Sequence, residues 1–311
     1  MNILIRADSS SYIGTGHIMR DLVLAKQYPN ENIIFATQNL EGNINHKIKE
    51  ANYKIELLES NDFKELNSLI KKLHIDMIIV DHYDINFNFE KKLKELNPNL
   101  KIFVFDDTYE KHNCDILLNH NISVDKKKYK NLVPENCELR CGSKYTLLRN
   151  EFIEAKNQKS IIKISKNQKT IFIAMGGADN KNLNIKILKV IKNIRKEINI
   201  NLKVNLVTTT ANKHLDKLKE YCKNKKWINL QINSNEIAKL MIQTDFAIVT
   251  PSVTVNEVYY LDIPLIAIKT AENQMDMYKY LKKNQKKCLN IFDKRKLKKF
   301  IIYHIKKLKY E

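Results

Sequence analysis

The sequence contains no run of about eighteen apolar residues, so no segment is long enough to cross a membrane as a helix. The first residues, MNILIRADSS, also lack the apolar core of a secretory signal, because Arg6 and Asp8 interrupt a very short hydrophobic stretch. These absences predict a cytoplasmic protein without membrane insertion.

Cysteine is rare, and its spacing does not suit disulfide bonds or a metal site. The five thiols are odd in number, no Cys-x-x-Cys pair occurs, and the close pair Cys137 and Cys141 has no second ligand pair nearby. Asp-x-Asp, the usual motif of metal-dependent sugar-nucleotide enzymes, is absent from the whole chain. We therefore expect reduced thiols, no metal and no cofactor.

Negative charge is scarce relative to positive charge: 35 Asp and Glu face 54 Lys and Arg, which gives a net charge of +19. A basic face of this kind could bind nucleic acid. The lysines are dispersed, however, and thicken only after residue 282, and aromatic residues do not alternate with them. Solvated lysine-rich helix faces account for this pattern better. We expect no nucleic-acid partner, and a field that favours a small anionic substrate.

A strand–loop–helix rhythm runs through the chain twice. Short apolar runs alternate with amphipathic stretches such as 63–73 and 88–97, which is typical of parallel sheets covered by helices on both faces. The runs lie at 3–5, 33–36, 77–80, 102–105 and 116–118, and again at 170–174, 202–207, 230–232, 246–249 and 265–268. We predict an α/β protein with two doubly wound, Rossmann-like domains and a cleft between them.

The polar and basic segment KNQKSIIKISKNQ, at 156–168, is the predicted linker. It separates an amino-terminal domain, 1–155, from a carboxyl-terminal domain, 169–283, and residues 284–311 are expected to form a basic helical extension. Two domains also suit the length of 311 residues. The sequence does not fix the oligomeric state, and a monomer is compatible with it.

Glycine occurs only six times, where ordinary usage of about 7% would give more than twenty. Four of the six lie in two loops that each follow the first predicted strand of a domain: Gly14, Gly16, Gly176 and Gly177. Glycine is needed where backbone turns sharply or approaches another group closely, and such loops form the ligand crevice of open α/β sheets. Tight turns are the alternative explanation. Neither loop matches G-x-G-x-x-G or a Walker loop, so dinucleotide or P-loop binding is not supported.

His17 directly follows Gly16 and precedes the helical run 18–25. It should lie in the first turn of a helix, where the positive helix end disfavours protonation and leaves an imidazole that accepts a proton at neutral pH. We predict a catalytic histidine here. His82 and Tyr83, in VDHYD at the end of a buried strand, either line the same site or pack at the edge of the core.

The segment DFAIVTPSVTVNEVYYLDIP predicts a buried strand, a turn and a helix that begins near Thr254. Free N–H groups at this helix start, with the hydroxyls of Ser252 and Thr254, can hold a phosphate. Glu257, one turn into the helix, can accept hydrogen bonds from both hydroxyls of a ribose. A capped helix with an acidic residue in its first turn is the structural alternative.

Eight motifs now stand in order along the chain: DSSSYIGTGHIMRDLVLA, VDHY, FDD with CDILLNHN, CGSKYTLLRNEF, AMGGAD, NEIAKLM, SVTVNE and ENQ. In order and spacing they resemble the PseG family, the UDP-2,4-diacetamido-2,4,6-trideoxy-β-L-altropyranose hydrolases of pseudaminic acid biosynthesis, from residue 1 to about 283. The resemblance implies a GT-B architecture, related to the glycosyltransferase that builds the lipid-linked peptidoglycan disaccharide.

The resemblance also assigns roles to individual positions. His17 matches the catalytic histidine, 252–254 match the helix start that binds the diphosphate, and Glu257 matches the glutamate that binds the ribose. Ile232 falls where related enzymes read uracil through backbone groups, and Gln274 falls where a glutamine contacts the sugar. The other implied substrate-binding positions are Gly14, Gly16, Tyr83, Arg149, Gly176, Gly177, Ser252, Val253, Thr254 and Asn256.

The implied reaction is metal-independent hydrolysis of a small UDP-sugar, in which water attacks the anomeric carbon with inversion and UDP leaves. Ala178 is a departure, because some members carry Thr there and one hydroxyl contact is therefore in doubt. The alternative is a GT-B glycosyltransferase that uses a UDP-amino sugar donor and an acceptor alcohol in place of water. Fold alone does not separate the two.

Overall fold

The computed structural model describes residues 1–159, 168–198 and 200–307, and the chain divides into two compact units, Met1–Leu147 and Leu148–Glu311. Each unit is built on one sheet, and the described strands pair in parallel throughout. This is the parallel α/β organisation that the alternating apolar runs predict.

In the described part of the first unit, a seven-stranded sheet has the order β3-β2-β1-β4-β5-β6-β7. Its strands are β1 (Asn2–Ala7), β2 (Asn32–Gln38), β3 (Lys54–Leu58), β4 (Met77–Asp81), β5 (Lys101–Phe105), β6 (Ile116–Asn119) and β7 (Glu138–Cys141). The helices are α1 (Gly16–Ala25), α2 (Asn45–Glu50), α3 (Phe63–Lys72) and α4 (Phe87–Leu96), with 3-10 turns at Lys126–Tyr129 and Ser143–Tyr145.

The described part of the second unit has a six-stranded sheet in the order β10-β9-β8-β11-β12-β13. Its strands are β8 (Gln168–Ala174), β9 (Asn201–Thr208), β10 (Ile228–Ile232), β11 (Phe246–Val249), β12 (Leu265–Ile268) and β13 (Lys287–Leu289). Its helices are α5 (Asn150–Lys159), α6 (Leu183–Glu197), α7 (Leu215–Cys222), α8 (Ile237–Ile242), α9 (Val253–Tyr260), α10 (Met275–Lys283) and α11 (Lys294–Lys307), with a 3-10 turn at Glu272–Gln274.

Strand β1 shows why the strand residues are apolar at successive positions. Ile3 and Ile5 belong to the hydrophobic cluster on one face of the first sheet, whereas Leu4 belongs to the cluster on the other face. Side chains alternate between faces along a strand, so a sheet covered by helices on both sides needs an apolar residue at every position. In the second sheet, Ile171 and Ile173 pack in one cluster with buried residues of α6 and α11.

Helix α5 belongs to the second unit, whereas the sequence predicts its residues 150–155 in the first domain. An ion pair between Lys156 and Asp262, with 3.3 Å between Nζ and Oδ2, ties this helix to the segment before β12. The helix also covers the start of the predicted linker, whose residues 160–167 lie outside the described part of the chain.

The described part of the predicted extension, 284–307, is integral to the second unit rather than added to it. β13 is an edge strand paired with β12, where the sequence predicts only helices. Helix α11 buries Leu297 and Ile301 in the core of the unit. Its lysines occupy the exposed face, which is why the segment looks like a basic extension in the sequence.

A buried ion pair lies at the carboxyl end of the first sheet. Arg6 donates two hydrogen bonds to the Asp8 carboxylate, at 2.8 and 2.7 Å, and both side chains are fully buried. Asp8 also accepts hydrogen bonds from the Gln38 backbone N–H at 2.7 Å and from His82 Nε2 at 3.1 Å. These partners lie on β1, on β2 and in the loop after β4. The Asp8 carboxylate therefore links the carboxyl ends of three neighbouring strands.

Replacing Asp8 by Ala should lower the free energy of unfolding of the first unit by about 3–5 kcal/mol, because it leaves the buried Arg6 guanidinium unpaired. Urea denaturation at neutral pH measures the difference. Glu50→Ala breaks the exposed Lys47–Glu50 pair, with 2.8 Å between Nζ and Oε2, and should leave the urea midpoint nearly unchanged. Equal losses in the two variants would contradict the role given to the buried pair.

Candidate functional site

The strand order reverses between β1 and β4 in the first sheet and between β8 and β11 in the second. In open α/β sheets the connections after such neighbouring strands leave on opposite faces, and a crevice opens at their carboxyl ends. The segments that follow these four strands, 8–17, 82–84, 175–182 and 250–257, contain most of the predicted site residues.

His17 is the second residue of α1, in the first turn as predicted. Its Nδ1 lies 2.8 Å from Asp81 Oδ1 and 3.1 Å from the Asp81 carbonyl oxygen. Both oxygens accept hydrogen bonds, so Nδ1 carries the proton and donates, and Nε2 keeps its lone pair in the neutral ring. Within the described residues Nε2 has no hydrogen-bond partner, which leaves it available to take a proton from a bound molecule.

Asp81, the last residue of β4, is missing from the residues predicted above. Its side chain is 2% exposed, and Arg20 Nε donates to its Oδ2 at 2.6 Å while Arg20 Nη2 donates to Oδ1. Burial raises the pKa of the Asp81 carboxyl, but the interactions with Arg20 and His17 outweigh burial and hold the pKa well below its usual range. The ionised carboxylate therefore fixes the orientation and tautomer of the imidazole.

Tyr83 and Asp107 complete the described surroundings of His17. The Tyr83 ring meets the His17 ring edge-on, with 5.3 Å between centroids, and its hydroxyl donates to Asp107 Oδ1 at 3.1 Å. Asp107 Oδ2 in turn lies 3.8 Å from Arg20 Nη1. The Tyr83 side chain is still 58% exposed, so it can contact a bound molecule.

His82 is held by groups of the protein itself, which favours packing at the edge of the core over a place in the site. Its Nε2 donates to Asp8 at 3.1 Å, and its Nδ1 accepts from the Asp84 backbone N–H at 3.2 Å. Both ring nitrogens are therefore occupied by the protein itself, whereas the neighbouring Tyr83 faces solvent.

The four glycines of the two loops, Gly14, Gly16, Gly176 and Gly177, are explained by different physical constraints. Gly14, at φ +90°, and Gly176, at φ +77°, adopt the left-handed conformation that favours glycine. At Gly177 the reason is packing, because a Cβ would lie 2.8 Å from Thr209 Oγ1. Gly16 has neither reason, since a Cβ there would meet no atom within 4 Å. Open space therefore adjoins the backbone directly before the imidazole.

In the second unit, α9 begins at Val253, one residue before the predicted start. The Ser252 side chain does not cap the helix, and its hydroxyl instead lies 3.0 Å from the Thr250 hydroxyl. The N–H groups of Val253 and Thr254 belong to the first turn and have no intrahelical acceptor. With the nearby hydroxyls they form a donor-rich surface that suits a phosphate.

Glu257 and Arg149, two predicted site residues far apart in sequence, form an ion pair. Arg149 Nη2 donates to Glu257 Oε1 at 3.2 Å, and Arg149 Nη1 lies 2.7 Å from Glu151 Oε1. Burial raises the pKa of the Glu257 carboxyl, and the Arg149 guanidinium opposes that rise. The predicted residue Asn256 precedes Glu257 in α9 and is only 2% exposed.

Ile232 and Gln274 also lie at carboxyl ends of the second sheet. Ile232 is the last residue of β10, as predicted, and pairs with Thr208 of β9. The Gln274 side-chain oxygen accepts hydrogen bonds from the Thr270 backbone N–H, at 2.8 Å, and from the Thr270 hydroxyl, at 3.2 Å. Only the side-chain NH₂ of Gln274 lacks a described partner, so this residue can offer a donor to a ligand but not an acceptor.

Lys269, which follows β12 directly, is a second residue that the sequence does not single out among so many lysines. Its side chain is only 7% exposed, and its Nζ pairs at 2.6 Å with Oε1 of Glu272, whose side chain is 87% exposed. Strand β12 is the direct neighbour of β11, so Lys269 emerges beside the segment that leads into α9. It brings a nearly buried positive charge to this edge of the sheet.

Among the described residues, no group of three or more His, Cys, Asp or Glu side chains is arranged to hold a metal ion. Those residues also include no helix that is long and apolar enough to span a membrane. All five cysteines are free thiols.

No family model matches the chain. A protein of Campylobacter jejuni named UDP-2,4-diacetamido-2,4,6-trideoxy-beta-L-altropyranose hydrolase is 39% identical over 284 residues, which are 91% of this chain and 97% of that protein. Among solved structures, MurG of Acinetobacter baumannii has a TM-score of 0.62 at 12% identity, over 100% of this chain and 95% of that one. The spinosyn rhamnosyltransferase SpnG has a TM-score of 0.63 at 11% identity, over 98% and 92%. The two structural matches confirm the predicted GT-B-like, two-domain α/β fold.

Replacing Arg149 by Met should raise the pKa of the Glu257 carboxyl further, because the guanidinium is the positive charge that opposes the effect of burial. The chemical shift of the Glu257 side-chain carboxyl carbon, followed by NMR as a function of pH, measures this pKa. Arg140→Met, which removes a guanidinium from the first unit, is the control and should leave the pKa of Glu257 unchanged. An unchanged or lower pKa in Arg149→Met would refute the electrostatic role of this pair.

Proposed function

Because this chain belongs to the PseG family of UDP-2,4-diacetamido-2,4,6-trideoxy-β-L-altropyranose hydrolases, we propose that it hydrolyses that UDP-sugar and releases UDP, a step of pseudaminic acid biosynthesis. The observation that carries the proposal is the His17–Asp81 pair, in which a fixed imidazole keeps an unpaired Nε2. The proposed reaction takes place in the cytoplasm on a small anionic substrate. It uses no metal, cofactor or nucleic acid, and a monomer is sufficient for it.

His17 acts as the general base on one water molecule. Nε2 takes a proton from the water while the water oxygen bonds to the anomeric carbon, and the electrons of the C–O bond on the sugar side leave with UDP. The Asp81 carboxylate, already ionised and oriented, stabilises the imidazolium that forms. Because water enters opposite the leaving group, the configuration at the anomeric carbon inverts.

The second unit provides the groups that bind UDP. The free N–H groups at the start of α9 and the hydroxyls of Ser252 and Thr254 hold the diphosphate, while Glu257 accepts hydrogen bonds from the ribose. Lys269 adds a cation, because a diphosphate is a stronger partner for its ammonium group than the exposed carboxylate of Glu272. These donors stabilise the charge that develops on the leaving UDP.

In the same proposal, the remaining predicted residues contact the uracil, the sugar or other parts of the substrate. Backbone groups at Ile232 read the uracil, the Gln274 NH₂ donates to the sugar, and Tyr83 contacts the sugar beside His17. The glycine loops let backbone approach the substrate closely, at Gly16 above all.

A transferase that passes the sugar to an acceptor alcohol is the alternative function. The solved structures with this fold include enzymes named as transferases, but one fold hosts many reactions and does not decide between them. The named hydrolase relative favours water as the acceptor. Release of UDP and a reducing sugar from the UDP-sugar, with no acceptor added, separates the two functions.

The route of bond cleavage is tested by hydrolysis in water enriched in ¹⁸O. If His17 directs water to the anomeric carbon, the label should appear in the sugar hydroxyl, and NMR of the first-formed sugar should show inverted configuration. Mass spectrometry of both products locates the label, and addition of EDTA should not reduce the rate. Label in UDP would mean attack at phosphorus and would refute the role given to His17.

Single substitutions should separate the chemical step from nucleotide binding. His17→Ala should lower kcat by about 10²–10⁴, the usual contribution of a general base, and leave the Kd of UDP nearly unchanged. Glu257→Ala and Lys269→Met should each weaken UDP binding by about 1–3 kcal/mol, the size of a lost charge-assisted hydrogen bond. Calorimetry with UDP and a steady-state assay measure the two effects.

The reverse pattern would overturn this division of roles. If His17→Ala lost UDP binding while Glu257→Ala kept it, the base and the nucleotide site would be assigned to the wrong units. Lys296→Met, at an exposed position of α11, is the matched control for Lys269→Met and should leave the Kd of UDP unchanged.

A further inference from the structure

A pocket lies at the amino-terminal edge of the second sheet, the edge opposite to the loops described above. It is enclosed by the end of α9, the segment that leads into β12, the turn before β13 and the last turns of α11. We call it the basal pocket and define it by Tyr259, Lys286, Lys287 and His304, all of which line it. None of these residues takes part in the proposed reaction.

The basal pocket carries an uncompensated positive charge. Among the described residues, neither Lys286 nor Lys287 forms an ion pair; their ammonium groups lie over aromatic rings instead, 5.3 Å from the Tyr259 ring centroid and 4.3 Å from that of Tyr303. The carboxylate in the lining belongs to Asp262, which is 76% exposed on its side chain and pairs with a lysine of α5. The pocket therefore favours an anion.

Two buried polar atoms at the pocket lack partners in the part of the chain that the structure describes. They are the Tyr259 hydroxyl and His304 Nε2. His304 is only 8% exposed, and its ring stacks on Phe246 with 5.1 Å between centroids, so it cannot turn outward to water without losing this packing. Buried polar groups normally have hydrogen-bond partners, and two orphans at one pocket point to a ligand that supplies them.

The groups present also indicate the kind of anion. The two ammonium groups and the phenol together provide more hydrogen-bond donors than the two oxygens of one carboxylate can accept. These donors also point in more directions than a planar carboxylate can meet. A phosphate group has three or four oxygens, and near neutral pH it also keeps a proton for part of the time, which an imidazole nitrogen can accept.

We propose that the basal pocket is a binding site for a phosphate group, separate from the nucleotide site. The phosphate belongs either to free inorganic phosphate or to a small phosphate monoester. The Tyr259 hydroxyl and the lysine ammonium groups donate to its oxygens, and His304 Nε2 completes its contacts.

Isothermal titration calorimetry on the full chain tests this proposal, with UDP present at saturation to occupy the nucleotide site and ionic strength held constant. The probes are inorganic phosphate, glucose 6-phosphate and acetate. Both phosphates, or one of them, should bind with a stoichiometry of about one, and the stronger of the two identifies the source. Acetate should bind at least about tenfold more weakly. Absence of phosphate binding, or equal binding of acetate, would overturn the proposal.

Variants locate the binding. The double variant Lys286→Ala with Lys287→Ala should weaken phosphate binding at least about tenfold, because two charge-assisted contacts are lost. The double variant Lys296→Ala with Lys299→Ala removes the same charge from exposed positions of α11 and should change the Kd less than about twofold.

Tyr259→Phe removes a single oxygen without changing charge and should weaken phosphate binding severalfold. It carries the test alone if thermal melting shows that the pocket double variant is unfolded. Equal weakening by the two lysine double variants would reveal a general effect of net charge and defeat the proposal, as would an unchanged Kd in Tyr259→Phe. Because the readout is phosphate binding, failure here leaves the proposed hydrolysis untouched.

Discussion

The candidate active centre depends on one buried carboxylate. Asp81 is almost fully shielded from water, and a charge in such a position is stable only when it is paired and hydrogen-bonded. Arg20 provides that pairing, with 2.6 Å between its Nε and Asp81 Oδ2, and Asp81 Oδ1, which Arg20 Nη2 also contacts, orients His17 at 2.8 Å. Removal of Asp81 or of Arg20 would leave the other buried charge uncompensated. The same interaction therefore stabilises the first unit and prepares the imidazole to act as a base.

The topology explains why these groups meet at all. Asp81 and His17 are 64 positions apart in the chain, but β1 and β4 are direct neighbours, and the reversal of strand order between them opens space at their carboxyl ends. The second sheet repeats this arrangement at β8 and β11, where the glycine loop and the start of α9 follow the strands. The same topology thus places the candidate base in one unit and the candidate phosphate-binding helix start in the other.

The sequence predicts those structural features that depend only on residues close together in the chain. The parallel sheets, the place of His17 in a first helical turn and the helix after Pro251 follow from periodicity and from glycine placement. Asp81 escapes such reasoning because its significance lies in its partners on α1. Lys269 escapes it because nothing in the sequence distinguishes one lysine among so many. The sequence leaves His82 open because its contact with Asp8, a residue far away in the chain, appears only in the structure. Strand β13 is too short and too basic to show a strand pattern.

The scarcity of glycine gives an argument that neither sequence nor structure supplies alone. Backbone conformation accounts for Gly14 and Gly176, and packing against Thr209 accounts for Gly177, so the protein itself needs those three. Nothing in its own neighbourhood requires Gly16, where a larger residue would fit into open space. A chain that uses glycine so sparingly has one directly before His17, the proposed base. In the proposed reaction the reason is close approach of the substrate to that backbone, where a side chain would occupy the place of the sugar or of the attacking water.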